Sequence, residues 1–516
     1  EYVAGTYCKI IDFRERRDRI DYLVAACKKR GIYLTLDLFT YRFVYGKPFG
    51  YPDRRLTPVE YKVLALFDPK VRADLLEFAR SLLDPVNPYT GLAWKDDPAF
   101  AFIGLINESM LPDSVERSPL LKEVINRQFD EYAVQNGLQA TDANRSALRE
   151  RFVMEKTRIH LAELAAEVQR LGIKVPMTDL NVGCDPRIGI MRNGLDFVDN
   201  HMYWGHPTYL GKLWVPPVAI TAASATGAFA GGLNVMFPTR LFGKPFTITE
   251  WNYVDPNPYN ADGAFLNGAY GALNNYAGFC RFEWGIVADR GKMGGFVFCN
   301  DPLQLLAMRA GSCFFLRGDV APAATAIPVV VPAELPDSYA WRSFPEVMQR
   351  LGLVMRTGMI VEGNPIPSEA RAFVAPEAMP PIEGRRVYSG QFTSQILSEM
   401  VADGAIPRNL IDLRQGRFTS ETGQIELNAS QKSLKVVTPR SEAVLGEPGT
   451  QLSGDFATIK IEGAFGAVYV ASHDSRPLSE SRRILICHLT DLKSDGMRFL
   501  DRGMSVVGDW GSDTML

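Results

Sequence analysis

AFAFIGLINE (Ala99 to Glu108) is an apolar run that stops abruptly at Asn107 and Glu108. Its Phe, Ile and Leu content suits a strand buried on both faces. A carboxylate at its end must be solvated, paired or functional, because burying it alone is costly. Similar runs lie on either side. IYLTLDLF (Ile32 to Phe39) precedes it; KVPMTDLN ending at Asn181, DFVDNHMYW ending at Trp204, PFTITEWN ending at Asn252 and GFCRFEWG ending at Gly285 follow. Helical patterns separate the runs. Ile20, Leu23, Val24 and Cys27 recur at i, i+3, i+4 and i+7 before Gly31, and Phe152, Val153, Leu161, Leu164, Val168 and Leu171 mark a longer helix. Alternating strand and helix predicts an α/β fold with a parallel sheet, and this many units predicts a closed (β/α)8 TIM barrel. An open doubly wound sheet has no support, since no G-x-G-x-x-G or P-loop follows any strand.

At 516 residues the chain exceeds one ordinary core, so more than one domain is expected. Residues 1–316 are assigned to the barrel. A Pro/Ala/Val stretch (Ala321 to Pro336) places residues 317–386 as a connecting or wrapping segment. From Val387 onward, IELNA, LKVVTP, ATIKIEG, AVYVAS and RILICHL alternate and are separated by turn residues, which predicts an antiparallel β-sandwich over 387–516.

An apolar content of 46%, a charged content of 22% and a net charge of -3 describe a globular chain with no basic stripe. Nucleic acid and anionic membrane surfaces are therefore not expected partners. The uncharged stretch Val215 to Pro238 is too rich in Gly, Ala, Ser and Thr to span a bilayer. Seven scattered cysteines, no C-x-x-C and five histidines argue against structural zinc or a disulfide scaffold; most thiols are expected to be buried and inert. No metal or cofactor is predicted.

Two strand ends carry the chemistry. Glu108 closes AFIGLINE, and Glu250 closes FTITE ahead of Trp251 and Asn252. Cleaving a glycosidic bond with retention needs two carboxyl groups about 5 Å apart, one protonated and one ionised, and barrel enzymes place such groups at C-terminal strand ends. Either glutamate alone is more simply the first polar residue of a loop. The neighbouring strand ends change that reading, because His201 and Tyr203 share a strand face beside Trp204, and Trp284 ends the last strand.

The order Asn107-Glu108, His201-Met202-Tyr203, Glu250 and Trp284 resembles clan A glycoside hydrolases, the (β/α)8 group containing families 5, 39 and 42. NPYTGLAWKDDPAFAFIGLINE (Asn87 to Glu108) and GKPFTITEWN (Gly243 to Asn252) also look like large family-5-like bacterial enzymes. The resemblance runs over roughly residues 15 to 316 and, more weakly, the sandwich. It implies Glu108 as general acid/base, Glu250 as nucleophile, Asn107 on the sugar 2-hydroxyl and Tyr203 donating a hydrogen bond to Glu250. His201 would orient Tyr203 or Glu108 (a satisfied core histidine is the equal alternative), and Trp284 would form the floor under a sugar ring. Trp204 and Trp251 join the expected substrate contacts, with Tyr209, Trp214, Tyr253 and Tyr259 as further loop aromatics. Asp37 and Arg42 are subsite candidates, with an ion pair as the alternative.

The chain also departs from that pattern. Ile32 to Phe39 corresponds to the clan's third strand, so two earlier strands lack counterparts, unless Glu1 to Ile11 supplies part of one. The third strand ends in LFTYR without the histidine common in family 5. The end at DWGSDTML comes before a sandwich would finish, which makes a piece of a longer protein the expectation. The expected partner is a carbohydrate substrate. The alternative is a non-catalytic carbohydrate-binding or scaffolding protein with a degenerate barrel.

Overall fold

The computed structural model describes residues 11–109, 113–285, 293–334, 342–390, 392–474 and 476–512. The chain is mixed α/β with an antiparallel sheet domain, and all six runs predicted as barrel strands are strands. It divides into two compact units. The first holds the described residues through Gly183, Arg187–Asp199 and the described part of Pro332–Tyr339. The second holds Cys184–Pro186, Asn200–Val331 and the described part of Ala340–Leu516. Ile11 opens the helix Ile11–Lys29; the expected strand at Glu1 to Ile11 otherwise lies outside the described residues.

In the first unit, Leu34–Asp37, Phe100–Gly104 and Met177–Thr178 form a parallel sheet in that order. Asp37 pairs with Gly104 and Gly104 with Thr178, so the three strands end level. A side chain at Gly104 would meet the Asp37 carboxylate and force it to shift. Helices Pro58–Phe67, Pro69–Leu83 and Pro119–Gln135 each begin with a capping side chain followed by proline: Thr57-Pro58, Asp68-Pro69 and Ser118-Pro119. The side chain occupies an orphan N–H and proline presets φ where its missing N–H costs nothing, a cap typically stabilising by about 1 kcal/mol. These helices and Arg145–Gln169 bury Leu64, Val71, Leu121, Ile125, Phe129, Leu161 and Leu164 in one core.

The second unit holds Phe246–Tyr253, Gly278–Arg281 and, from Asn200 onward, the strand Val198–Trp204; the three lie side by side with Phe246–Tyr253 in the middle. Phe246–Tyr253 and Gly278–Arg281 are parallel, with an irregular register between Ile248 and Trp251. The helix Ala261–Leu273 is buried at every position and meets Pro302–Phe315 so closely that a Cβ on Gly268 would lie 2.5 Å from Cα of Gly311.

The C-terminal region holds one seven-stranded antiparallel sheet running from Ile411–Asp412 to Ile484–Leu489, with a ribbon of Gln451–Ser453 and Thr458–Lys460. The helix Pro302–Phe315 packs against its last two strands, and Phe265 meets Tyr469 edge-on at 6.1 Å. Its last described strands, Arg498–Phe499 and Val506–Asp509, leave that sheet. Val506–Asp509 pairs with Val218–Ala219, which in turn pairs with Thr208–Tyr209. Val215 to Pro238 is otherwise mostly turns, and among the described residues no helix is long and apolar enough to cross a membrane.

Two expectations are corrected here. Residues 317–386 are more than a connector, because Met359–Val361, Val329–Val331, Phe373–Val374 and Val387–Tyr388 form a parallel sheet in that order. The first three are fully buried, as a sheet covered on both faces requires. The thiols are also less enclosed than expected. Cys27, Cys299, Cys313 and Cys487 are half-buried, Cys184 and Cys280 are exposed, and Cys8 lies outside the described residues.

Candidate active site

Glu108 lies four residues beyond the end of its strand, in a turn, half-buried and with φ of 49°. Left-handed backbone is unfavourable for a side chain with a Cβ and persists only where its surroundings enforce it. The enforcing groups come from the end of the neighbouring strand. The side-chain oxygen of Asn181 accepts the Glu108 N–H at 2.7 Å, and its amide donates to Oδ1 of Asn107 at 3.1 Å. The Ser109 hydroxyl donates to Oδ1 of Asp179 at 2.5 Å, and that oxygen also accepts the Leu180 N–H. Asn107, Ser109, Asp179 and Asn181 are all buried. Burial pushes the Asp179 carboxyl up to about 7, with the Asp37 charge adding to it and Ser109, Leu180 and Lys62 opposing it.

Glu250 sits at the register irregularity of its own strand. Three steps from Ile248 to Trp251 oppose two from Phe279 to Arg281, so Thr249 and Glu250 are both partly exposed while Trp251, Asn252 and Tyr253 are all buried. A bulge re-aims a side chain in this way. The Tyr203 hydroxyl donates to Oε2 of Glu250 at 2.6 Å. His201 Nδ1 lies 3.5 Å from the same oxygen, and its Nε2 lies 3.3 Å from the Thr249 hydroxyl. The Tyr203 ring is fixed edge-on by His206, Phe282 and Phe296. A carboxylate held by a phenol O–H stays oriented.

Below Glu250 is a buried polar foundation. Asn252 donates to the Phe296 carbonyl at 2.8 Å and accepts from Arg281 Nη2 at 2.9 Å. The Arg281 guanidinium lies 4.8 Å from the Trp251 ring centroid, and burial brings it down to about 10. Burial, and then the Asp301 charge, hold Asp255 well above the usual carboxylate range.

No family model and no curated protein matches the sequence. Solved structures resemble it at low identity. The chain is similar to an endo-β-1,4-mannanase from Thermotoga petrophila, with 14% identity over 61% of this chain and 66% of that one and a TM-score of 0.36. It is also similar to a β-galactosidase from Bacillus circulans sp. alkalophilus, with 11% identity over 94% and 92% and a TM-score of 0.42. A family 42 β-galactosidase from G. stearothermophilus gives 9% identity over 92% and 90% and a TM-score of 0.43.

The remaining expected contacts separate by burial. Trp284 is 63% exposed, touching Phe298 edge-on at 5.6 Å, and so can offer a face to a ligand. Trp251 is 4% exposed, which corrects its expected substrate role: its ring packs inward against Arg281, Tyr253 and Phe279. Trp204 is half-buried, donating to the Ala223 carbonyl and packing over Gly231, where a Cβ would sit 2.4 Å from its ring. Tyr253 is buried and bonds the Gly231 carbonyl, and Tyr259 bonds Glu447 at 2.8 Å. Trp214 is 64% exposed, in edge contact with Phe296 and tilted against Tyr209. His201 lies beside Glu250, a partner not among those expected for it. Arg42 is buried in a pair with Asp74, so its ion-pair alternative holds. Asp179, Asn181 and Ser109 escaped sequence reasoning. The rule that singled out Glu108, a polar residue ending an apolar strand, also covers Asp179 and Asn181 in MTDLN.

Proposed function

We propose that this chain is a retaining glycoside hydrolase acting on β-glycosidic bonds of an oligo- or polysaccharide, with Glu250 as nucleophile and Glu108 as general acid/base. The observation that carries the reading is the 2.6 Å hydrogen bond from Tyr203 to a Glu250 carboxylate placed on a strand bulge, with His201 beside it. Tyr203 holds Glu250 aimed, and Glu250 attacks the anomeric carbon to form a glycosyl-enzyme ester. Glu108 gives its proton to the departing oxygen, then takes one from the water that cleaves the ester. The Asn107 amide, anchored by Asn181, is suited to the sugar 2-hydroxyl, and Trp284 offers an apolar face to a ring.

The test is a pair of substitutions assayed on aryl β-glycosides. Glu250→Gln is expected to lose activity by roughly 10⁴-fold or more, as removal of a covalent nucleophile does. Glu108→Ala is expected to lose about 10²- to 10⁴-fold, with azide restoring turnover and giving a β-glycosyl azide of retained configuration. Wild-type activity in Glu250→Gln ends the assignment. An azide product of inverted configuration would make Glu108 the nucleophile in place of Glu250, and carboxyl groups well beyond about 6.5 Å apart in a ligand complex would replace retention by inversion.

A further inference from the structure

The turn Asn107–Ser109 is gripped from two sides by a single short segment. Asn181 takes the Glu108 N–H and ties Asn107, while Asp179, two residues earlier, takes the Ser109 hydroxyl. The gripping segment is itself under constraint. Leu180, between the two prongs, has φ of 59°; its N–H is held by Asp179 and its carbonyl by the buried Arg192. Two non-glycine residues in left-handed backbone are therefore joined through Asp179, which holds the Leu180 N–H directly and the Glu108 turn through Ser109. Oδ2 of Asp179 is buried and has no hydrogen-bond partner among the described residues.

We infer that Asp179 is a positioning residue for Glu108, one jaw of a two-pronged clamp (with Asn181) that holds the acid/base turn in its strained conformation. This rests on the reading of Glu108 as the acid/base. The clamp is also sensitive to proton concentration. Asp179 faces Asp37 from the first strand, Lys62 from the helix Pro58–Phe67, and Ser109 from the Glu108 turn; Arg192, from the helix Pro186–Arg192, holds the adjacent Leu180 carbonyl. Its carboxyl titrates at about 7, with burial as the main cause, so the proton leaves within the neutral range. The ionised carboxylate accepts the Ser109 O–H and the Leu180 N–H more strongly than the neutral acid does. The clamp is thus tight above neutrality and looser below it.

The experiment measures kcat and KM of wild type, Asp179→Asn, Asp179→Ala and Ser109→Ala from pH 5 to 9 on an aryl β-glycoside. Wild type is expected to show a rising limb in kcat/KM centred near 7. Asp179→Asn keeps both acceptor bonds but cannot titrate, so it should lose that limb while staying within about threefold of wild-type kcat at pH 7. Asp179→Ala should lose at least tenfold in kcat with KM nearly unchanged. Ser109→Ala removes a donor that favours the anion, so it should move the limb to higher pH. Wild-type kcat in Asp179→Ala, or a limb that persists in Asp179→Asn, overturns the proposal.

Two readouts do not need activity. A crystal structure of the Asp179→Ala, Asn181→Ala double variant should show φ at Glu108 returning to negative values; an unchanged φ overturns the clamp. The melting temperature of wild type should fall as pH rises from about 4 to 7 and then level off. The sign follows because the folded carboxyl keeps a proton that the unfolded chain has already released. Asp179→Asn should lack that slope, and a slope identical to wild type overturns the titration. If no glycoside is cleaved by wild type, the functional reading fails and these two measurements still decide the clamp.

Discussion

Glu108 and Glu250 are the same residue type held by opposite means. Around Glu108 the grip is on the backbone, made by buried amide, carboxyl and hydroxyl groups that force a left-handed turn. Around Glu250 the grip is on the carboxylate itself, made by a phenol hydroxyl whose ring is walled in by Phe282, Phe296 and His206. A group that must stay ionised benefits from a donor on its oxygen. Two carboxyls diverge in role when their surroundings diverge, and the difference in what is held is the physical basis for assigning nucleophile and acid/base as proposed.

The sharpest way to break that contrast is to remove the donor on the carboxylate. Tyr203→Phe deletes one hydroxyl, leaves the ring packing intact and strips a charge-assisted hydrogen bond worth about 1.5–3 kcal/mol. The expected result is a fall in kcat of about 10- to 100-fold, with the melting temperature within a few degrees of wild type. Steady-state kinetics with pre-steady-state bursts will locate the loss in formation of the glycosyl-enzyme. A loss confined to its hydrolysis would instead reassign Tyr203 to the acid/base step.

The matching cut on the other side is Asn181→Ala. It frees the Glu108 N–H and the Asn107 amide together, and the turn can relax out of its left-handed conformation. A kcat reduction of about tenfold is expected, smaller than for Tyr203→Phe because Asp179 still holds Ser109. Asp179→Ala combined with Asn181→Ala should cost more than the two single losses multiplied together, since either jaw alone restrains the turn. Strict multiplicativity in that double-mutant cycle would dissolve the idea of one clamp.

How much of this was legible depends on the length scale of each signal. All six strand runs could be read because each is a block of apolar residues with a polar end, and Glu108 and Glu250 were conspicuous for the same reason. The Tyr203 to Glu250 bond followed from the clan resemblance, with alternation placing only His201 and Tyr203 on one face. The clamp was invisible because it depends on Leu180 adopting positive φ, which no leucine advertises. The parallel sheet at 329–388 was missed because its strands are two or three residues long and VVV is flanked by prolines, which reads as linker. Trp251 was misjudged because Glu250 was read as closing its strand, which put Trp251 among the loop aromatics, whereas the strand runs on to Tyr253. On a continuing strand the neighbour of Glu250 points to the other side, and there the indole is buried.

That misjudgement yields the smallest and most discriminating prediction. Trp251 and Trp284 are both tryptophans near strand ends, and sequence treated them alike, yet one is 4% exposed and the other 63%. Trp284→Ala removes an aromatic face without opening a cavity, so KM should rise several-fold while kcat and melting temperature hardly move. Trp251→Ala empties a packed site beneath Arg281 and Asn252 and should cost about 3–5 kcal/mol of stability, read as a lowered midpoint in urea. Its kcat should fall only to the extent that the Arg281–Asn252 pair loses its seat. If instead Trp284→Ala destabilised the fold and left KM alone, the exposed ring would be a packing element, and the apolar platform for the sugar would have to be sought at Trp214, whose ring is 64% exposed and in edge contact with Phe296 beside Tyr203.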